Sequence, residues 1–273
     1  MNSINNQIKK IEGLERLKAL QELNLSGNKI SKLEGLKQLT SLQKIDIRVN
    51  KIKKLEGLEN LSALQKLIIY DNKVEKLEGL EGLTALEEFD ISSNKIKKLE
   101  GLESLEKLSY FDVSENKISS LEGLRNLNEL RNLDINDNRI EKIEGLDSLK
   151  TLYILKIDNN RIEKLEGLSE LTNLHCLEIK DNQISKLEGL ENLPSLEMVD
   201  ISNNPISDLT SGVYLMKKLE VKLEEDWEFF YGSRGFFIID CPLVNPPPEI
   251  IKKGNIAILN YLKANEGLHF NEN

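Results

Sequence analysis

The sequence is poor in the residues on which most small secreted domains depend. Only 5% of its 273 residues are aromatic, and it has two cysteines and six prolines. The cysteines, Cys176 and Cys241, are far apart, which argues against a disulfide framework and favours a reducing compartment. The first residues lack the apolar core of a secretory signal, and no apolar run is long enough to cross a bilayer. We therefore expect a soluble, cytoplasmic protein.

Positive charge is in deficit as well. The chain has 37 basic against 46 acidic residues, which gives a net charge of −9 and a pI near 5.1. This balance argues against nucleic acid or an anionic membrane as the main partner.

Recognisable catalytic motifs are also missing from the sequence. Its two histidines, His175 and His269, belong to no metal-spaced cluster, and neither a nucleophile motif nor a glycine-rich phosphate loop occurs. Carboxylates recur in a ladder of identical surroundings, whereas acid–base catalysis needs two carboxylates in dissimilar environments. We expect a protein that is not an enzyme and that needs no cofactor or metal.

What the sequence does have is a strict period of 22 residues. The stretch NKIKKLEGLE occurs at 50–59 and again, two periods later, at 94–103. One asparagine and one glycine recur in each period, and a fixed period of this length is typical of a solenoid. The asparagines are Asn6, Asn28, Asn50, Asn72, Asn94, Asn116, Asn138, Asn160, Asn182 and Asn204. The glycines are Gly13, Gly35, Gly57, Gly79, Gly101, Gly123, Gly145, Gly167 and Gly189.

Each period combines two spacings of apolar residues. Leu67 and Ile69 are two apart, which predicts a short strand. The leucines from Leu55 to Leu64 are three apart, which predicts a 3₁₀-like or helical piece. Strands stack more closely than helical pieces, so the strands should line the inside of an arc. We therefore predict an α/β solenoid with a parallel concave β-sheet and short 3₁₀ or helical segments on the convex side.

The repeated polar residues are predicted to be structural. The asparagine follows each strand, where its amide can pair with backbone groups of the turn and of the neighbouring repeat. The glycine suits a turn or a close approach of two backbones. The lysine and glutamate that precede it, such as Lys54 and Glu56, are interpreted as a solvated face.

The period fails after Asn204. A further strand is predicted at Leu219, Val221 and Leu223, with Asp226 in the asparagine phase, and Cys241 is predicted to take the asparagine position of a last turn. We assign 1–226 to the solenoid, with about ten repeats of which the first is partial.

Residues 227–273 are predicted to form a cap rich in aromatic residues and proline. The stretch Glu249–Asn265 reads as an amphipathic helix with Ile251, Ile258 and Leu262 on one face. The aromatic segment 227–237 is interpreted as covering the apolar end of the solenoid. Its alternative is an exposed docking patch, formed by Trp227, Phe229, Phe230, Tyr231, Phe236 and Phe237.

The pattern L-x-x-L-x-L-x-x-N resembles that of leucine-rich repeats over residues 6–209. The 22-residue length and the phrase N-K-I-x-K-L-E-G-L resemble the class typified by the regulatory subunit of type 1 protein phosphatase. That resemblance implies a concave surface that holds a folded protein. The segment DCPLVNPPPEIIKKGNIAILNYL, at 240–262, resembles the end of the repeat arm of Roco proteins. No phosphate-binding G-x-x-x-x-G-K-[ST] motif follows it.

Side chains beside the core positions of each strand are predicted to point into the concavity. They vary from repeat to repeat while the core does not, as expected of a surface free of core duties. Asp90, Asp112 and Asp134 form an acidic middle, and exposed apolar residues such as Tyr110 could anchor a partner. Generic solubilising residues are the alternative interpretation. The candidate contact residues are Asp46, Arg48, Tyr70, Asp90, Tyr110, Asp112, Asp134, Asp137, Lys156, Asp158, Glu178, Lys180, Met198 and Asp200.

We therefore expect a monomeric, non-catalytic scaffold that binds another protein, one with a basic patch, in its concave face. The phosphatase resemblance implies a regulatory subunit. The alternative, implied by the Roco resemblance, is a regulatory arm or effector of a Ras-like small GTPase acting in trans. A recognition arm of an enzyme is a third interpretation that no catalytic motif supports.

Overall fold

The computed structural model describes residues 1–224 and 234–265, in which short strands recur once per repeat. In chain order they are β1 (Glu22–Asn24), β2 (Lys44–Asp46), β3 (Lys66–Ile68), β4 (Glu88–Asp90), β5 (Tyr110–Asp112), β6 (Asn132–Asp134), β7 (Ile154–Lys156), β8 (Cys176–Glu178), β9 (Met198–Asp200), β10 (Val221–Lys222) and β11 (Gly235–Phe237). The helices are α1 (Val213–Lys218), α2 (Pro248–Ile251) and α3 (Asn255–Asn265).

Within the described residues, all strands belong to one parallel sheet of 11 strands, which confirms the predicted solenoid. The order is β1 to β9, followed by β11 and then β10. Successive strands from β1 to β9 pair without slippage, so residues 22 positions apart face each other, as Leu23 faces Ile45. The middle residue of each of these strands is buried in a continuous apolar core that also contains the leucines of the convex side.

The convex side consists mainly of single turns. Leu61 N–H donates to Leu58 O at 3.0 Å, and Leu64 N–H donates to Leu61 O at 3.0 Å. These bonds have the i to i+3 pattern of a 3₁₀ helix, but each closes one turn without overlapping the next. Within the described residues, only Glu122–Leu124 and Thr210–Gly212 form 3₁₀ helices.

The asparagine ladder joins each repeat to the one before it. Asn72 Nδ2 donates to Ile69 O and Tyr70 O of its own turn, and to Ile47 O of the preceding repeat at 3.1 Å. Its Oδ1 accepts the N–H of Ile52 at 2.9 Å. The same four bonds recur from Asn28 to Asn204 with equivalent partners, whereas Asn6 is exposed and donates to Ile4 O. The predicted structural role is therefore confirmed for the interior of the ladder.

The residue before each ladder asparagine has a left-handed backbone, and Val49 is strained there. Its φ is +56°, where a β-branched side chain is disfavoured, while Gly27, Asp71 and Asn159 occupy the same position in other repeats. Val49→Asn should raise the free energy of unfolding by about 1 kcal/mol, measured by urea denaturation. Since Asp71 already suits this backbone, Asp71→Asn serves as control and should change little. An unchanged or lowered stability for Val49→Asn would contradict the assignment.

The C-terminal end differs from the sequence prediction in strand order. A strand is present at Val221–Lys222, within the predicted Leu219–Leu223 stretch, but it lies at the outer edge of the sheet. The position next to β9 is taken by β11, because Phe236 is fully buried and aligns with Val199. The sheet therefore continues past residue 226. Asp226, Trp227, Phe229, Phe230 and Tyr231 lie outside the described residues.

Cys241 occupies the asparagine position of the last turn, as predicted. Its Sγ donates to Ile201 O at 3.6 Å, much as Asn204 Nδ2 donates to Ile179 O one repeat earlier. Asp240, the residue before it, has the left-handed φ of +54° that is found throughout this position.

The predicted amphipathic helix is divided in two. α2 and α3 are separated at Gly254, whose φ of +83° cannot continue a helix. Ile251, Ile258 and Leu262 are nevertheless buried against the core, as predicted. Asn255 Nδ2 donates to Met216 O at 2.6 Å, which ties α3 to α1.

Phe236 and Phe237, two of the six aromatic residues assigned to the cap or docking segment, are buried in β11. The interpretation as an exposed docking patch is therefore wrong for this pair.

Candidate functional site

The concave sheet presents three columns of side chains, each with one residue per repeat. The first column is Glu22, Lys44, Lys66, Glu88, Tyr110, Asn132, Ile154, Cys176 and Met198. The central column is Asn24, Asp46, Ile68, Asp90, Asp112, Asp134, Lys156, Glu178 and Asp200. The strand register places the residues of each of these columns beside one another. The outer column follows the strands and is Ser26, Arg48, Tyr70, Ser92, Ser114, Asn136, Asp158, Lys180 and Ser202.

Aspartates of the central column have a structural task that sequence analysis missed. One carboxylate oxygen of Asp112 accepts the N–H of Ser114 at 3.0 Å, two residues further on. Asp46, Asp90, Asp134 and Asp200 make the equivalent bond. Aspartate is well suited to this local turn because its short side chain reaches the backbone two residues ahead. The repeated spacing D-x-[SNR] in the sequence was the available signal.

Part of the predicted site lies away from solvent. Asp46 is 5% exposed and Asp200 is 2% exposed, and Asp158 and Met198 are also buried. The expectation that these candidate residues face solvent is wrong for those four. Asp90, Asp112 and Asp134 are half-buried, so part of each carboxylate remains accessible.

The outer-column N–H groups have a different acceptor where the central column holds Lys156 and Glu178 instead of aspartate. Asn136 Oδ1 accepts the N–H of Asp158 at 2.6 Å, and Asp158 Oδ1 accepts the N–H of Lys180 at 2.7 Å. The outer column of one repeat thus supplies the acceptor for the next repeat. This exchange leaves Lys156 and Glu178 free to pair with each other, with Nζ and Oε1 3.2 Å apart.

Charge is neutralised unevenly along the concavity. In the C-terminal repeats Lys180 lies 3.7 Å from Asp158 and 4.0 Å from Asp200. Near the other end, Arg48 pairs with Asp46 at 3.3 Å and lies 6.0 Å from the ring centre of Tyr70. Lys66 pairs with Glu88 of the neighbouring repeat.

The acidic middle differs from both ends. Within the described residues, Asp90, Asp112 and Asp134 take part in no salt bridge. Parallel strands are about 4.8 Å apart, so each of these carboxylates is close to the next.

The titration of the central column reflects this crowding. Burial, and then the neighbouring Asp112, raise the pKa of Asp134 to about 6. Burial is also the main cause that raises the pKa of Asp158 to about 7 and shifts the pKa of Asp112 and Asp200 upward. Tyr110, 38% exposed above these carboxylates, has its pKa raised to about 12 by burial and by Asp112. The phenol is therefore neutral and can offer both its ring and its hydroxyl group.

Asp134→Asn should flatten part of the dependence of stability on pH. The folded-state pKa of about 6 exceeds the ordinary value of 3.8, so in this interval the folded state holds a proton that the unfolded state has lost. The resulting stability is full below the unfolded pKa and is lost as the pH rises through 6. Asparagine keeps the acceptor for Asn136 N–H and has no charge, so at high pH the variant should be more stable than wild type by about 1 kcal/mol.

Urea denaturation of both proteins near the two ends of this pH interval measures the effect. Glu34 serves as a control whose pKa shift has the opposite sign, because Lys32 holds the pKa of Glu34 below the ordinary value. Glu34→Gln should therefore gain no stability as the pH rises. Parallel profiles for Asp134→Asn and wild type would contradict the assigned pKa.

Two further groups complete the surface. Asp137, a predicted contact residue, lies beyond the columns in the left-handed turn position, with φ +55°. Tyr153 and His175 stack at the leading edge of the sheet with ring centres 4.1 Å apart, beside Ile154 and Cys176. Sequence analysis missed this pair because it considered only the three columns.

Other kinds of site find little support in the described part of the chain. No group of three or more histidine, cysteine or acidic residues is placed to hold a metal ion there. None of its helices combines the length and the apolar character needed to cross a membrane.

A solenoid of one short strand per repeat, with a buried asparagine ladder and a polar concave sheet, defines the leucine-rich-repeat class. Family models agree: "Leucine Rich repeats (2 copies)" matches residues 3–38 and 172–212, and "Leucine-rich repeat" matches 85–179. A model of the leucine-rich-repeat domain of the endo-beta-N-acetylglucosaminidase EndoS matches 21–116. The chain is a leucine-rich-repeat protein.

Solved structures similar to this chain include two internalins of Listeria monocytogenes. Internalin InlF is 30% identical with a TM-score of 0.74, over 79% of this chain and 64% of its own. Internalin C2 is 28% identical with a TM-score of 0.65, over 68% of this chain and 82% of its own. The chain thus spans a little under two thirds of the InlF chain. No curated protein matches it.

A plant receptor shares the fold at lower identity. The ectodomain of the Arabidopsis thaliana receptor kinase GASSHO1/SCHENGEN3, solved in complex with CASPARIAN STRIP INTEGRITY FACTOR 2, is 21% identical with a TM-score of 0.58. The match covers 70% of this chain and 25% of the receptor chain.

Proposed function

We propose that this protein is a non-catalytic interaction scaffold that binds a partner protein with a basic patch in its concave face. The observation that carries the proposal is the acidic middle, where Asp90, Asp112 and Asp134 adjoin one another and form no salt bridge within the described residues, although Lys156 follows Asp134 in the same column. Adjacent carboxylates repel, and a cationic partner would relieve that repulsion. Tyr110, exposed above them, supplies the aromatic anchor that interfaces favour.

More specifically, we propose that the scaffold is a regulatory subunit, and a protein phosphatase is the first partner to test. The phrase N-K-I-x-K-L-E-G-L supports it through its resemblance to the phosphatase-regulator class. The alternative is an arm or effector of a Ras-like GTPase, supported by the resemblance of residues 240–262 to the end of a Roco repeat arm. Binding of purified type 1 phosphatase and of a Ras-like GTPase to the full chain separates the two.

We further propose that the protein acts as a monomer in the cytoplasm. Cys176 and Cys241 are both free and half-buried, which suits a reducing compartment. The division into a solenoid and a C-terminal cap is likewise a proposal, supported by the packing of α2 and α3 against the core. Since β11 belongs to the sheet, the boundary that the period placed between 226 and 227 moves beyond the turn at Cys241.

Asp112→Asn should weaken partner binding about 10-fold, mainly through a slower on-rate that depends strongly on salt. Asparagine still accepts the N–H of Ser114, so the variant removes charge without removing the turn bond. Tyr110→Ala should weaken binding by a similar or larger factor through a faster off-rate. Surface plasmon resonance with the captured partner measures both rates.

The matched control is Glu100→Gln, which removes one negative charge outside the concave face. Glu100 is exposed and pairs with Lys98 at 2.9 Å. Binding should remain unchanged for this variant. If Glu100→Gln weakens binding while Asp112→Asn is silent, the contact surface lies outside the concave face and the proposal is wrong.

A further inference from the structure

A second charged surface follows the concave sheet, on the edge of the solenoid where the strands end. The residue after each ladder asparagine is a lysine in five successive repeats, from Lys29 to Lys117, and two of these repeats add a second lysine two positions later. In the fifth repeat Glu115 and Glu122 offset Lys117, so we name the surface of the first four repeats the basic edge; it consists of Lys29, Lys51, Lys53, Lys73, Lys95 and Lys97. The decapeptide that occurs twice in the chain contributes four of the six.

The backbone holds the basic edge in a fixed geometry. Lys51 N–H donates to Ile30 O at 2.8 Å, and Lys73 N–H donates to Ile52 O at 2.8 Å. Lys29 and Lys95 make the same bond to the preceding repeat. With strands about 4.8 Å apart, the line from Lys29 to Lys95 is about 14 Å long and has one cation per repeat.

The lysines of the basic edge are exposed and form no salt bridge within the described residues. The adjacent lysines behave differently, because Lys32, Lys54, Lys76 and Lys98 each pair with a glutamate two positions later at 2.8–2.9 Å. We call the stretches 27–34, 49–56, 71–78 and 93–100 the four edge segments; in them Asp71 and Glu75 are the acidic residues outside such pairs. The local charge is therefore positive although the whole chain carries −9.

Distant acidic residues do not cancel this local charge. At physiological ionic strength the screening length is about 8 Å, so a ligand on the basic edge senses mainly the groups beside it. In the later repeats this edge loses its excess of positive charge. Acidic residues there accompany the cations Arg139 and Arg161; they are Asp137, Glu141 and Glu163.

We infer that the basic edge binds a linear anionic glycan, sulfated or carboxylated, that runs from repeat to repeat. Such glycans occur outside the cytoplasm, so this inference stands as an alternative to the cytoplasmic location proposed above. The advance per sugar ring of an extended glycan is close to the spacing of the strands, so a chain with one anion per sugar meets one lysine per repeat. The four edge segments contain no aromatic residue. This absence disfavours single-stranded nucleic acid, which is held by stacking on aromatic side chains, and a protein partner, which needs aromatic anchors.

The test uses heparin as the probe, with affinities from calorimetry at about 50 mM and about 200 mM NaCl. The full chain should bind, and the affinity should fall steeply with salt. The variant Lys51→Gln/Lys53→Gln/Lys95→Gln/Lys97→Gln should bind about 100-fold more weakly at the lower salt concentration. All four side chains are exposed, so its circular dichroism and melting temperature should match those of wild type.

The matched control removes four positive charges elsewhere, as Lys18→Gln/Lys107→Gln/Lys252→Gln/Lys253→Gln. These lysines are exposed and lie off the basic edge, so this variant should retain the affinity of wild type to within about 3-fold. Absent binding by wild type, or equal losses in both variants, would overturn the inference. Tighter binding of a single-stranded oligonucleotide or of anionic vesicles than of heparin would overturn the choice of a glycan.

Discussion

Asn116→Ala should lower the free energy of unfolding by about 3 kcal/mol, measured by urea denaturation. The buried amide of Asn116 donates to Ile91 O, Val113 O and Ser114 O at 2.9–3.2 Å. Its oxygen accepts the N–H of Ile96 at 2.9 Å. Alanine would leave four backbone groups at the junction of two repeats without these partners, and unsatisfied buried groups are costly.

Two companion variants show that the hydrogen bonds cause the effect. Asn116→Asp keeps the acceptor for Ile96 N–H but turns a carboxylate toward three carbonyl oxygens, so it should destabilise at least as much at neutral pH. The neighbouring Lys117 is exposed, and Lys117→Ala should change stability by less than about 0.5 kcal/mol. Equal effects of Asn116→Ala and Lys117→Ala would contradict the assignment of the ladder to the interior.

Gly167→Ala should have an effect of similar size for a steric reason. Gly167 has φ +85°, and an added Cβ would come within 1.8 Å of the backbone oxygen of Ile143 in the preceding repeat. The substitution therefore adds a backbone clash to the cost of a left-handed alanine. We expect a loss of about 3 kcal/mol or more in urea denaturation.

Gly13 separates the two contributions. Its φ is +76°, but among the described residues a Cβ there would meet no atom within 4 Å. Gly13→Ala should therefore lose only about 1 kcal/mol, the cost of the left-handed backbone. If both variants lose the same amount, close packing of successive backbones is not why the repeat requires glycine.

Asn116 and Gly167 show why so much of the fold was predictable. A feature that recurs every 22 residues has the same surroundings in each repeat, so one physical argument about a turn serves for the whole ladder. The strand position of Leu67 and Ile69, the burial of the asparagines and the place of Cys241 all follow from this periodicity. Where periodicity ends, the prediction weakens, and the insertion of β11 between β9 and β10 depends on contacts that no local pattern encodes.

The candidate site was predictable in position but not in chemistry. The period alone placed Asp90, Asp112 and Asp134 in one column, and the strand register confirms that alignment. It did not reveal that each aspartate also accepts a backbone N–H, which depends on the direction of the side chain rather than on its column. Burial of Asp200 accompanies this local bond, whereas burial of Asp158 accompanies its bond to the N–H of Lys180 in the next repeat. Neither bond follows from the column alone.

The most direct test of the concave binding surface is hydroxyl-radical footprinting of the full chain with and without its captured partner. Tyr110 lies on the concave face with 38% of its surface exposed, whereas Leu17, 43% exposed, belongs to the convex leucine spacing of the first repeat. The account predicts that the partner lowers the oxidation rate of Tyr110 severalfold and leaves that of Leu17 unchanged. Protection of Leu17 with no protection of Tyr110 would contradict it.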